Sequence, residues 1–236
     1  MTALWTLYKR ETGQYFGTPA AYVAAIVFLL ISGYFFATPL FIVNQASIQS
    51  YIDTAPLLMT FFIPALTMRL FAEEFKTGTA EVLLSMPLRD WQIITAKLLA
   101  ALTVAGAAIA LTLIYPLTVG MFGTLDWRAA VCAYAGLMLT ALMLCSAGLF
   151  ASVISRSQII GFIVGFLLVF GFYVVGKISS FVPPWFASFT DFMGLDLHLD
   201  NLARGVIDSR DLMYFLSVSG FFIFLTQAAL WNERLD

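Results

Sequence analysis

Few residues in this chain have the type and spacing to do chemistry. Residues 171–177 read Gly-Phe-Tyr-Val-Val-Gly-Lys, the first seven positions of a phosphate-binding loop. The eighth is Ile178, where a Mg²⁺ ligand would need a Ser or Thr hydroxyl, so nucleotide binding is rejected here. His198 is the single histidine, and Asp196 and Asp200 flank it. Residues two apart do not share a helix face and no cysteine joins them, so a metal centre is not expected and His198 reads as solvated or as a cap. Glu73 and Glu74 could pair for acid–base work. They stand among Arg69 and Lys76, so ion pairing or contact with a partner is expected instead. Cys132 and Cys145 share one apolar stretch. On one helix they would lie roughly 20 Å apart, beyond disulfide reach, and they read as buried thiols. No Ser–His–Asp, Cys–His or His-Glu-x-x-His arrangement occurs. Gly161 and Gly165 form a G-x-x-x-G, which suits close helix packing in lipid, within the chain or across a dimer.

The elements that must carry these residues are set by composition. The chain has 236 residues, of which 61% are hydrophobic and 11% charged, and its mean hydropathy is +0.92. A soluble domain of this length could not hide so much apolar surface. Intrinsic disorder needs the opposite composition. The net charge of −2 leaves no basic footprint for nucleic acid. The remaining solvent is the lipid bilayer, in which an open chain must be helical. Six apolar stretches are long enough to cross it, at about 20–43, 55–71, 97–122, 129–154, 159–176 and 212–231. The first is longer than a signal-peptide core and reads as a retained anchor. The third begins at Lys97, where a lysine can snorkel to the headgroups.

Orientation follows from Lys and Arg. With the N-terminus inside, Lys9, Arg10, Arg69, Lys76, Arg89, Lys97, Arg156 and Arg234 face the cytoplasm, and Arg128, Lys177, Arg204 and Arg210 face out. The excess of basic residues on the inner side predicts that both termini are cytoplasmic.

Three further segments need a role. Residues 2–18 place Leu4, Leu7, Tyr8, Glu11 and Tyr15 at nearly helical spacing, which predicts an interfacial helix on the cytoplasmic leaflet. Residues 69–92 hold the largest charge cluster. Gly78 can turn the backbone, Thr79 can cap a short helix with Glu81 near its positive end, Pro87 can stop that helix, and Asp90 can cap the third span. The apolar face of that helix, with Leu83 and Leu84, fits either a docking site or a helix lying flat on the bilayer. Residues 177–211 form a long outer loop, opened by Pro183-Pro184. It fits two short helices dipping into the outer leaflet or a cap over the bundle, with Asp208 capping the last span. The spans themselves carry almost no charge, so no energy source for transport is visible in the chain.

Arg69, Ala72-Glu73-Glu74, Gly78-Thr79, Glu81, Leu83-Leu84 and Pro87, followed by Lys97, resemble the cytoplasmic signature of ABC-2 type transporter permeases. Lys9-Arg10-Glu11, Tyr15-Phe16, Pro19 and Tyr22 resemble that family's opening. Residues 205–211 with Tyr214-Phe215-Leu216 resemble the subgroup of gliding-motility permeases. Relatives often carry Gly at the position of Ala96.

The resemblance implies an all-α membrane protein forming one domain over 1–236, in the cytoplasmic (inner) membrane of a bacterium. It would comprise six transmembrane helices, an elbow helix at about 2–18, a coupling helix at about 79–86 and re-entrant outer helices within 177–211. It implies a second permease copy or paralogue, a separate P-loop ATPase that carries ATP and Mg²⁺, and in the subgroup a membrane protein with a large external domain. The residues expected to couple to that ATPase are Glu73, Glu74, Thr77, Gly78, Thr79, Glu81, Leu83, Leu84 and Pro87. Such a chain would be no enzyme and would hold no cofactor. The rival readings are a non-transporting scaffold or sensor, and an ion-coupled transporter.

Overall fold

A computed structural model describes residues 2–42, 48–81, 88–123, 125–178, 183, 190 and 192–235. Helices joined by short turns make up these residues, with no strand among them. The helices whose bounds lie within the described residues are α1 (Thr2–Gly17), α2 (Pro19–Ile42), α3 (Gln49–Thr67), α4 (Ala72–Thr77), α5 (Asp90–Leu111), α6 (Ile114–Phe122), α7 (Trp127–Val153), α8 (Gln158–Ile178), α9 (Leu195–Ala203) and α10 (Ser209–Leu235). Six stretches are long and apolar enough to cross a membrane, with α5 and α6 together making one of them.

The third span starts seven residues before the expected Lys97. Its first two turns mix Asp90, Gln92 and Thr95 with Trp91, Ile93, Ile94 and Ala96, and they are helical, with Ile93, Ile94 and Ala96 buried. The Arg89 amide donates to Gln92 Oε1 at 3.1 Å. Arg89 therefore takes the cap position expected for Asp90, which becomes the first helical residue, where its carboxylate suits the positive end of the helix. At the other end of α5 the helix breaks. Pro116 has no amide to offer the Thr112 carbonyl four residues back. Tyr134 Oη donates to that carbonyl at 2.7 Å, and Tyr51 Oη donates to Thr112 Oγ1 at 3.0 Å. The Tyr115 amide reaches the Thr112 carbonyl as well, at 2.9 Å, so that amide and Tyr134 together satisfy the backbone at the break.

The core is built around α7, which packs against α3, α5, α8, α9 and α10. Small residues allow the closest crossings. A methyl at Gly148 would overlap the Thr67 side chain, and one at Gly165 would touch Pro64 and Ala151. A methyl at Gly161 would press on the Met68 carbonyl. Both glycines of the G-x-x-x-G therefore face α3, its end and α7 within this chain. The helices α2, α8 and α10 keep broad apolar faces exposed, including Leu30, Tyr34, Leu167 and Phe224.

Candidate functional site

The spans alternate in direction, and two polar clusters form at opposite ends of the bundle. The first lies where α1, the end of α3, α4 and the start of α5 meet. Lys97 sits two turns inside α5 and is 1% exposed. Its ammonium has three protons and three acceptors: Leu70 O at 2.7 Å, Glu74 Oε1 at 2.8 Å and Glu11 Oε2 at 3.1 Å. The Phe71 ring lies 5.0 Å away and adds a cation–π contact. Lys97 does not snorkel to headgroups, as its expected place at a span edge implied. It is buried because the helix begins earlier and because two carboxylates from other elements reach it.

Glu11 arrives on α1, whose Leu7, Glu11 and Tyr15 face the bundle while Trp5 and Phe16 face outward. The periodic stripe of α1 thus meets protein, and Trp5 and Phe16 on its other face stay exposed. Two further contacts tie α1 to the end of α3. Tyr15 Oη donates to Leu66 O at 2.8 Å, and burial pushes that hydroxyl well above its usual range, keeping it a donor. Arg69 Nη1 donates to Thr18 Oγ1 at 3.0 Å, while its Nε and Nη2 both reach Glu73 Oε2.

The break between α3 and α4 is satisfied from a third helix. Ser152 Oγ accepts from the amides of Phe71 and Ala72 and donates to the Met68 carbonyl. One hydroxyl thereby serves the orphan groups of two helix ends. Gly78 ends α4 in the left-handed region at φ 71°, where glycine carries no steric penalty. Thr77 Oγ1 pairs with Thr79 Oγ1 at 2.9 Å, and Glu81 is exposed. Residues 79–81 are helical. Leu83, Leu84 and Pro87 lie outside the described residues. A polar cleft of about 440 Å³ opens here, lined by Arg10, Gln14, Thr18, Arg69, Glu73 and Thr79 among others.

Of the expected site residues, Glu73, Glu74, Thr77, Gly78, Thr79 and Glu81 are therefore together. Glu73 and Glu74 are occupied within the chain, and Lys76, Thr77, Thr79 and Glu81 are exposed. The residues missed as site members are Glu11, Tyr15, Lys97 and Ser152. Glu11, Tyr15 and Lys97 stand in the segments that carry the family resemblance, whereas nothing in the sequence singles out Ser152.

The second cluster is at the far end. Of the solvated or capping role expected for His198, the solvated one does not hold: it is 2% exposed, and its partner is Asp211 rather than Asp196 or Asp200. Asp208 does cap α10, accepting from the Arg210 amide at 3.0 Å. The loop-like residues 171–177 are continuous helix in α8, and Lys177 pairs with Asp196 at 2.9 Å. Cys132 and Cys145 are both free thiols on α7.

No curated protein matches this chain. Residues 15–218 match the family model described as ABC-2 family transporter protein. That stretch contains the first five spans, the cluster around Lys97 apart from Glu11, and the start of the sixth span. With its six apolar helices, the chain belongs to the ABC-2 transporter family.

Proposed function

We propose that this chain is the membrane-spanning permease subunit of an ATP-driven ABC-2 exporter, moved by a separate P-loop ATPase. The family normally works with an ATPase partner. The supporting observation is the Lys97 cluster. It joins the segment after the second span to the N-terminal helix and to the third span through one buried ammonium. A push on residues 72–87 would therefore reach α1, α3 and α5 together.

In this reading α1 is the elbow helix and residues 79–86 are the coupling helix. Glu73 and Glu74 position that segment. Lys76, Thr77, Thr79, Glu81 and the stretch holding Leu83, Leu84 and Pro87 meet the ATPase, which binds ATP and Mg²⁺. Two permease subunits pair through apolar faces such as those of α2 and α8. In this reading this end and both termini face the bacterial cytoplasm, which the excess of Lys and Arg on that side supports, and α9 belongs to a re-entrant outer cap. The substrate class is lipid-like, glycan or peptide, or work is passed to an external membrane partner, as the gliding-motility resemblance of residues 205–216 suggests.

The test is affinity capture of the solubilised chain from its native membrane. Recovery of an ATPase chain lacking spans of its own, and its loss in Glu81→Arg with the fold intact, is the expected result. Equal recovery with Glu81→Arg and Leu84→Arg would contradict the assigned surface.

A further inference from the structure

The polar cleft beside Lys97 carries charges that the Lys97 cluster does not use, and we infer that it binds the headgroup of a phosphatidylethanolamine. Its depth follows from chain position. Gly17 and Thr18 on its wall immediately precede the first span, which starts at Pro19, and Arg69 and Leu70 follow the end of α3 at Thr67. The cleft therefore lies where these helices leave the hydrocarbon, and the medium at that level is lipid headgroups. The exposed Trp5, Phe16 and Tyr22 flank the same segment, and Trp and Tyr settle at that level.

Charge then selects the headgroup. Arg10, Arg69 and Lys97 line the cleft together with Glu11, Glu73 and Glu74. Cations and carboxylates balance, so a ligand of net charge would upset them. They are not equally used. Lys97 is committed to Glu11 and Glu74, and Arg69 to Glu73. Arg10 is exposed and makes no hydrogen bond or ion pair among the described residues. It offers a guanidinium to a phosphate. Acceptors are also left over. Both Arg69 nitrogens that reach Glu73 go to Oε2, which leaves Oε1 of a side chain 43% exposed open to a ligand. Among the buried atoms of the wall, Glu11 Oε1 has no hydrogen-bond partner on a residue 3% exposed, and Glu74 Oε2 has none either.

The cleft thus lacks an anion at one place and N–H donors at another. A phosphate joined to a primary ammonium supplies both. Phosphatidylethanolamine carries that pair with no net charge, and its ammonium protons suit carboxylate oxygens as those of a lysine do. The trimethylammonium of phosphatidylcholine has the same charge and no N–H. Phosphatidylglycerol has the phosphate and no cation. The volume of about 440 Å³ falls within the range of sites that hold small ligands. A headgroup seated here ties α1, through Arg10, to α4, through Glu73, and so adds a lipid to the joint that Lys97 makes.

The test is native mass spectrometry of the full chain alone, exchanged in detergent with equal amounts of dioleoyl phosphatidylethanolamine, phosphatidylcholine and phosphatidylglycerol. The parent chain should retain phosphatidylethanolamine about tenfold more than either of the others, which is what a charge-assisted hydrogen bond is worth. Glu73→Gln should remove the preference over phosphatidylcholine. Arg10→Gln should lower the retention of both lipids together. Arg128→Gln, at the start of α7 and so at the opposite end of the bundle from Ser152, should change neither. Equal retention of phosphatidylethanolamine and phosphatidylcholine by the parent would overturn the proposal, as would a preference for phosphatidylglycerol. A preference untouched by both Glu73→Gln and Arg10→Gln would place the lipid elsewhere and overturn it too. Displacement by soluble phosphoethanolamine at the same concentration would overturn the lipid as the source. The ratio in the parent chain decides the matter even if a variant fails to fold, and it is independent of any ATPase partner.

Discussion

Glu11 and Glu74 hold the same ammonium: Lys97 Nζ lies 3.1 Å from the first and 2.8 Å from the second. Each carboxylate keeps one buried oxygen without a hydrogen-bond partner, Glu11 Oε1 and Glu74 Oε2. The cluster is therefore anion-rich, and Lys97 is what allows the carboxylates to stay there. Lys97→Met should destabilise the chain by about 3–5 kcal/mol, since it strands two buried carboxylates. Adding Glu11→Gln and Glu74→Gln should recover most of that loss. Unfolding by SDS titration in mixed micelles measures both, and a Lys97→Met change below about 0.5 kcal/mol would show that the cluster carries little stability.

Ser152 is the only link from α7 to the backbone of the α3–α4 break among the hydrogen bonds of the described residues. Ser152→Ala leaves the Phe71 amide, the Ala72 amide and the Met68 carbonyl short of a partner. The expected loss is about 1–3 kcal/mol. Ser146→Ala on the same helix is the control. Its hydroxyl returns to its own Leu142 carbonyl, so its removal should cost less than about 0.5 kcal/mol. Equal effects of the two changes in the same unfolding assay would refute the capping role.

Gly148 and Thr67 mark the closest crossing of α7 and α3. A methyl group at Gly148 has no room beside the Thr67 hydroxyl and Cβ. Gly148→Ala should cost about 1–3 kcal/mol through forced separation of the two helices. Thr67→Ala placed alongside it should relieve part of the loss, giving a favourable coupling in a double-mutant cycle. Strictly additive effects would mean that the helices do not meet there.

The spans were legible because lipid leaves so few choices. Some twenty apolar residues must be helical, and the charges that interrupt them mark the ends. Boundaries were less legible where turns of mixed composition extend a span. Residues 90–96 precede the apolar run of the third span, so Lys97 looked like an edge residue when it is two turns inside. The pairing of Lys97 with Glu11 and Glu74 spans three elements, and nothing local announces it. His198 shows the same limit. Asp196 and Asp200 are near it in sequence but point elsewhere, while Asp211 reaches it across a turn from another helix. Gly161 and Gly165 gave a pattern with two meanings, and only the approach of Met68, Pro64 and Ala151 assigns their faces. The stretch 171–177, whose pattern matches the start of a phosphate-binding loop, is an unbroken helix.

The central claim is that the motor resides on another chain. Its most direct test is ATP hydrolysis in proteoliposomes, measured for this chain alone, for its captured ATPase alone, and for the two together. The account predicts no hydrolysis by this chain alone. It predicts activity in the complex that differs from that of the free ATPase, and loss of that difference in Lys97→Met. Hydrolysis by the purified chain alone, or an ATPase rate indifferent to its presence, would contradict the account.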